Sequence, residues 1–190
     1  SAVSRGLGDV YKRQAVDSAI MVIDGAKGVE SQTRKLFEVC RLRDLPIFTF
    51  CNKMDRESRD TFEIIDEIQE NLAIDVTPAS WPIGIGSDFL GCYDLINDRL
   101  ELMDRADKNR LGESIKIDGL NDPEMDKYIP SDLKEKLVDE VEMAKELLPP
   151  LNPNSLLEGH LTPIWFGSAM NSFGVKAVSY THLTLPTNLC

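Results

Sequence analysis

The chain has no apolar run approaching the roughly 18 residues that cross a membrane, and its opening residues do not read as a signal peptide. Only two histidines and four cysteines (Cys40, Cys51, Cys92 and Cys190) occur in 190 residues, all far apart. That spacing forms no zinc signature and no disulfide framework, so a reducing cytoplasm is the expected compartment and no metal ligands are assigned. Cys40 and Cys51 fall in apolar patterns and are expected as small buried hydrophobes. No G-x-x-x-x-G-K-[ST] loop for nucleotide phosphates occurs anywhere. The single Asp-x-x-Gly, Asp88 to Gly91, does not follow an upstream strand where it could serve magnesium. Bases are scarce too: 21 Lys and Arg stand against 32 Asp and Glu, a net charge of −11. This excludes a generic binder of phosphate backbones, though not a large ribonucleoprotein met through one local face.

What is present is the composition of a soluble globular protein, 42% hydrophobic and 28% charged. The two ends differ from the middle. Residues 1–14 show little periodicity, and residues 178–190 contain no Asp, Glu, Lys or Arg. Both are expected to be tags, junctions or readthrough in place of native protein. From Ala15 the pattern is regular. The apolar run Ala19 to Ile23 ends at Asp24-Gly25, and a helix over roughly 30–43 follows with Thr33, Leu36, Phe37 and Cys40 on one face. The run Pro46 to Cys51 is a second buried strand. Asp60-Thr61-Phe62-Glu63 then resembles a capping box for a helix with Ile64, Ile65, Ile68 and Leu72 inward. Strand and helix alternating at these lengths indicate an α/β domain with parallel strands over 15–83.

Between 84 and 160 the rhythm changes to an acidic α+β insertion. Trp81-Pro82-Ile83-Gly84-Ile85-Gly86 breaks helix, and Phe89 to Met103 alternates as short antiparallel strands would. The stretch 104–129 is polar and turn-rich. Ser131 is expected to cap a long helix with Leu133, Leu137, Val138, Val141, Ala144 and Leu148 inward, stopped by Pro149-Pro150. Over 161–177 the α/β rhythm resumes, with the strand Thr162 to Phe166 ending in Gly167-Ser168-Ala169.

The chemistry concentrates at Asn52-Lys53-Met54-Asp55, directly after a buried strand. The Asp55 carboxylate can accept two hydrogen bonds, from guanine N1 and its exocyclic amine, a donor pair that adenine lacks. Asn52 can bond the other edge of the base or tie loops together, and the Lys53 stem can lie along the ring. Each carboxylate bond is worth roughly 1.5–3 kcal/mol, enough for two to decide base identity. Backbone N–H groups at Ser168-Ala169 suit guanine O6, where a large side chain would intrude. The competing reading is a solvated loop on a non-enzymatic acidic interaction module. Other signals are weaker. Gly84-Ile85-Gly86 lacks the third glycine of a dinucleotide fingerprint, His160 has no partner at ligand spacing, Glu140 and Glu142 belong to a solvated face, and Trp165 and Phe166 read as core.

Val16 to Asp24, with Gly28-Val29-Glu30 and Gln32-Thr33, resembles the middle of a translational GTPase G domain. Arg41 to Pro46 leading into Asn52 to Arg56, Trp81 to Gly84, and Phe166 to Ala169 through Phe173-Gly174-Val175 are similar to its release-factor-recycling branch. Elongation-factor-G-like and ribosome-protection GTPases share the plan. Trp81-Pro82 and Glu158 to Pro163 favour the first branch. The resemblance covers roughly 15–177 and departs at Met170, where Leu or Lys is usual. It implies a partial P-loop-type GTPase domain with Asn52, Lys53 and Asp55 as the guanine motif and Ser168-Ala169 closing over the base. GTP or GDP is the implied ligand, with Mg²⁺ in the complete parent. The implied partners are the ribosome and class I release factors, with neither sequence-specific nucleic acid nor membrane. The phosphate loop, both switches and the later β-barrel domains are not in this sequence, so no catalytic residue is assigned. The resemblance also sets the strand at 19–23 beside an absent one, leaving an apolar edge.

Overall fold

A computed structural model describes residues 18–104, 106, 107 and 111–168. The expected segments 1–14 and 178–190, and Ala169 to Val175 with Met170, lie outside the described residues. Four strands, β1 (Ala19–Asp24), β2 (Ile47–Asn52), β3 (Asp75–Pro78) and, much later in the chain, β8 (Leu161–Phe166), form a parallel sheet in the order β1-β2-β8-β3. The interior strands β2 and β8 are buried along almost their whole length, as a parallel sheet covered on both faces requires. Residues alternate between faces. Ile47, Cys51, Ile164 and Phe166 join the main core, whereas Phe48, Phe50 and Trp165 join a smaller cluster on the other side.

β8 carries a proline in a central strand, where the ladder needs every N–H. By the register, the Ile47 carbonyl faces the Pro163 nitrogen, which has no hydrogen to give. The Thr162 hydroxyl donates to that carbonyl instead, at 2.7 Å, and the Thr49 hydroxyl lies 2.8 Å from Thr162 Oγ1. Two buried threonines thus repair the ladder.

Helix α1 (Ser31–Leu42) lies along β1, and α2 (Thr61–Leu72) packs beside it. α2 follows expectation: the Asp60 carboxylate accepts from Phe62 N at 3.1 Å, and Ile64, Ile65, Ile68 and Leu72 are buried. The helix ends on Ala73 in the left-handed region (φ 49), and the Arg41 guanidinium donates to the carbonyls of Leu72 and Ala73. α1 departs from expectation. Only Phe37 is buried, Cys40 and Thr33 are half-buried, and Leu36 is 60% exposed. Among the described residues β1 is the outermost strand on this side, and much of the apolar stripe of α1 overhangs it.

After Pro78 one residue, Ala79, separates the parallel sheet from an antiparallel one. Its strands are β4 (Ser80–Ile83), β5 (Gly91–Asp94), β6 (Arg99–Met103) and β7 (Leu111–Lys116), paired in sequence order. β5 and β6 fall where alternation placed them. β4 and β7 occupy stretches that read from sequence as helix-breaking and turn-rich, and β3 is a further strand that the sequence does not indicate. Helix α3 (Ser131–Leu147) packs on β4 through Leu137, Val141 and Ala144. Ser131 is its first helical residue and not its cap: Pro130 takes the cap position in an extended conformation, with no side-chain cap bond. Leu133, Val138 and Leu148 are only half-buried. Leu148 is extended before Pro149, as the residue before a proline favours, so the helix stops where expected. A short helix α4 (Pro153–Leu157) covers the second face of the parallel sheet with Leu156. Trp81, Tyr93 and Leu100 of the antiparallel sheet share the main core with Ile23, Ile65 and Phe166. No helix among the described residues is long and apolar enough to cross a membrane.

Candidate functional site

β1, β2 and β8 run parallel side by side, so the loops starting at Asp24, Asn52 and Gly167 leave the sheet at one edge. In open α/β sheets this carboxyl edge is where ligands bind. Backbone hydrogen bonds tie the loops together. Gly25 N donates to Asn52 O at 2.9 Å, Gly167 N to Cys51 O at 3.0 Å, and Met54 N to Gly167 O at 3.1 Å.

Within the second loop, the Asn52 side-chain oxygen accepts from Lys53 N at 2.8 Å. This supports Lys53 in the left-handed region (φ 66), a conformation that costs a non-glycine residue about 1–3 kcal/mol and clusters at ligand sites. Met54 is fully buried and anchors the loop from below. Its sulfur lies 3.7 Å from both Cys51 Sγ and Ser58 Oγ. Burial, with the Asp24 charge nearby, pushes the Cys51 thiol up to about 12, so it stays protonated and able to donate. With Met54 turned inward, Lys53 and Asp55 on either side remain half-exposed at the sheet edge. Ser168 is buried beside Gly167, and Ala169 lies outside the described residues. The structure therefore brings the Asn52–Asp55 loop against the loop that carries Ser168.

Two groups of residues not singled out from sequence complete the edge. Asp24 receives Lys53 Nζ at 2.7 Å, and its other oxygen accepts from Ala26 N and Lys27 N at 2.8 and 3.2 Å. Burial alone would raise its pKa. The Lys53 hydrogen bond and the two backbone donors outweigh that, holding the carboxyl below the ordinary aspartate range. Lys53 is thus stretched from the β2 loop to the end of β1. The second group is Arg59 and Glu67, which clasp the loop after β1. Arg59 donates to the carbonyls of Ala26 and Lys27 and pairs with Glu67, whose other oxygen accepts from Val29 N at 2.9 Å. Gly28 (φ +70) lies so close that a Cβ there would clash with the Glu67 carboxylate. The one sequence signal for Asp24 was its place at the end of an apolar strand. For the clasp there was none, because its members are far along the chain from the loop residues they hold.

The other weak signals resolve individually. Gly86, dismissed as part of a fingerprint, donates its N–H to Met54 O at 2.9 Å and so braces the candidate loop. Glu140 is not simply solvated, since one oxygen accepts from Trp81 Nε1 at 2.8 Å. His160 is exposed beside Glu158, and Trp165 and Phe166 are core. Among the described residues no group of His, Cys, Asp and Glu is placed to hold a metal ion. The chemistry on offer is a carboxylate, an immobilised lysine stem and a buried polar loop along one edge, a donor and acceptor set suited to a flat heterocycle.

Comparison with known proteins agrees with this arrangement at the level of family and fold. The family described as elongation factor Tu GTP binding domain matches residues 10–187. The crystal structure of ttk003000868 from Thermus thermophilus resembles 92% of this chain with a TM-score of 0.60 at 16% identity, a likeness of fold. The chain spans 27% of the length of that protein.

Proposed function

The chain belongs to the family of elongation factor Tu GTP-binding domains, and on that premise we propose that its carboxyl sheet edge is the guanine-recognising half of a translational GTPase. Asp55 reads the guanine N1 and amine, Lys53 lies along the ring, Asn52 fixes the loop, and Ser168 with Ala169 closes over O6. The observation that carries this reading is the Met54 N to Gly167 O bond, which joins the two loops that must hold one base between them. We further propose that the parent protein acts in translation termination as a GTPase of the peptide chain release factor 3 kind, freeing class I release factors from the ribosome. Trp81-Pro82 and the Glu158 to Pro163 stretch support that choice. An elongation-factor-G-like GTPase is the second reading, supported by the antiparallel insertion between β3 and β8. The residues present fit the base of GTP or GDP. They include no phosphate loop, so no hydrolytic step and no magnesium ligand is assigned to them.

Base choice tests the site. Contacts to the base must offset about 4 kcal/mol or more of lost ligand freedom, so the expected affinity for GDP is millimolar or weaker, within reach of an NMR titration. Wild-type chain is expected to prefer GDP to XDP. Asp55→Asn should reverse that order, since an amide can donate to the xanthine C2 oxygen, and an unchanged order removes Asp55 from the role.

A further inference from the structure

The last residue of β8 sits where the parallel sheet loses a strand. β3 pairs with β8 only as far as Pro78 opposite Ile164, after which Ala79 N donates to Ile164 O at 2.9 Å. The next step of the ladder would join Phe166 N to Ala79 O. That carbonyl has turned to the antiparallel sheet, where it accepts from Leu95 N at 3.0 Å. Both backbone groups of Phe166 would then be orphaned in the core, a cost comparable to a lost hydrogen bond each. Two side chains of the antiparallel sheet fill the vacancy. Ser80 Oγ accepts from Phe166 N at 3.0 Å, and Cys92 Sγ donates to Phe166 O at 3.1 Å. Ser80 and Cys92 are themselves buried, 5% and 3% exposed, so no water competes for these bonds. The next residue, Gly167, bonds Cys51 and Met54.

We propose that Ser80 and Cys92 are positioning residues for base recognition: they extend the β8 ladder by one residue and so set Gly167-Ser168 against the Asn52–Asp55 loop. The proposal rests on the base-site reading above for its functional consequence, and on geometry alone for its structural one. Neither residue reaches the ligand edge itself. Each acts through Phe166, and together with the Gly86 N to Met54 O bond from the β4–β5 connection they make the antiparallel sheet and that connection the support of both base loops. Burial holds the Cys92 thiol well above its ordinary pKa, so it remains a donor across the physiological range.

The test uses the whole 190-residue chain with two NMR readouts, amide exchange without ligand and titration with GDP and ADP. Cys92→Val keeps the volume and removes the donor, Cys92→Ser keeps a donor, and Ser80→Ala removes the acceptor. Exchange at Met54 and Gly167 is expected to rise at least tenfold in Cys92→Val and Ser80→Ala while Ile68 in α2 is unchanged, with GDP binding weakened at least threefold. Cys92→Ser should restore both. Equal acceleration at Ile68, or a serine variant as impaired as valine, overturns the proposal and leaves only core packing. If wild-type chain shows no preference for GDP over ADP, the base-site reading fails, and the exchange pattern still decides whether these residues position the loops. Should Ser80→Ala fail to fold, the two Cys92 variants decide alone.

Discussion

The parallel and antiparallel sheets of this chain are built by opposite rules. β2 and β8 are buried along almost their whole length and are apolar apart from Thr49 and Thr162, which bond within the sheet, and Asn52 where β2 leaves it. β6 and β7 alternate, with the Leu100 side chain in the core while half-exposed Arg99 and Glu101 and exposed Ser114 form a polar ladder in which Arg99 donates to Ser114 and Ser114 to Glu101. A sheet covered on both faces can place function only at its strand ends, whereas a half-solvated sheet has polar positions throughout. The candidate ligand edge accordingly belongs to the parallel sheet. Yet of the groups that hold its loops, Ser80 and Cys92 come from the antiparallel one and Gly86 from the connection between β4 and β5. The difference teaches that supplying chemistry and positioning it are divided between two sheets with a common core.

The strongest way to break that comparison is to damage the common core and ask whether both sheets notice. Ile65 is fully buried in the cluster that contains Trp81, Tyr93 and Phe166. Ile65→Ala is expected to cost about 2–5 kcal/mol, from lost burial and the cavity left behind. In urea, fluorescence from Trp81 alone and from Trp165 alone, each isolated by changing the other to Phe, should report one shared midpoint. Two midpoints would mean that the sheets are separate folding units.

The same division explains what the sequence disclosed. Continuous apolar runs made β1, β2 and β8 legible, as strands of a sheet covered on both faces, and the three-to-four spacing of Ile64, Ile65, Ile68 and Leu72 made α2 legible, as a helix buried on one side. β3, β4 and β7 were not legible. β3 and β4 are four residues each with a proline apiece, too short for any period to show. The overhang of Leu36 was invisible because periodicity tells which residues share a face and not how wide the covering sheet is. At the candidate site, Asn52, Lys53 and Asp55 are singled out by residue type and spacing alone. Asp24 was missed because an ion pair 29 positions apart follows from strand order, which a single sequence does not reveal.

A smaller effect sharpens the comparison at the ligand edge. Asp24 has a folded pKa below the unfolded value of about 3.9. Its stabilisation is therefore complete above that value and is lost as the pH falls through the folded pKa. The Lys53 side chain is 39% exposed, so solvent screening limits the pair to about 1 kcal/mol or less. Asp24→Asn should lower stability by no more than that at neutral pH, and the gap from wild type should close as acid takes the carboxyl through its folded pKa. Urea midpoints of both proteins in neutral and acid buffer measure it. A gap that persists undiminished in acid would assign the loss to altered packing.

The smallest expected effect concerns the border of the parallel sheet, where burial and amphipathic pattern part company. On α1, Phe37 is 4% exposed while its neighbour Leu36 is 60% exposed and Leu42 85%. Leu36 lines a cavity of about 230 Å³ between α1 and β1, together with Ile20, Val22 and Thr33. The mouth of that cavity is open enough to leave Ile20 41% and Val22 56% exposed. A leucine that remains mostly in water has little transfer energy to lose. Glutamine has a helix propensity close to that of leucine, so the backbone of α1 gains no reason to fray. Leu36→Gln is therefore expected to change stability by no more than about 0.5 kcal/mol, the usual range for surface substitutions. Phe37→Ala, one position away, should cost about 3–5 kcal/mol. Urea denaturation of the pair measures the contrast directly. If Leu36→Gln costs as much as Phe37→Ala, then α1 is clamped from both sides, and the border of the parallel sheet is as enclosed as its centre.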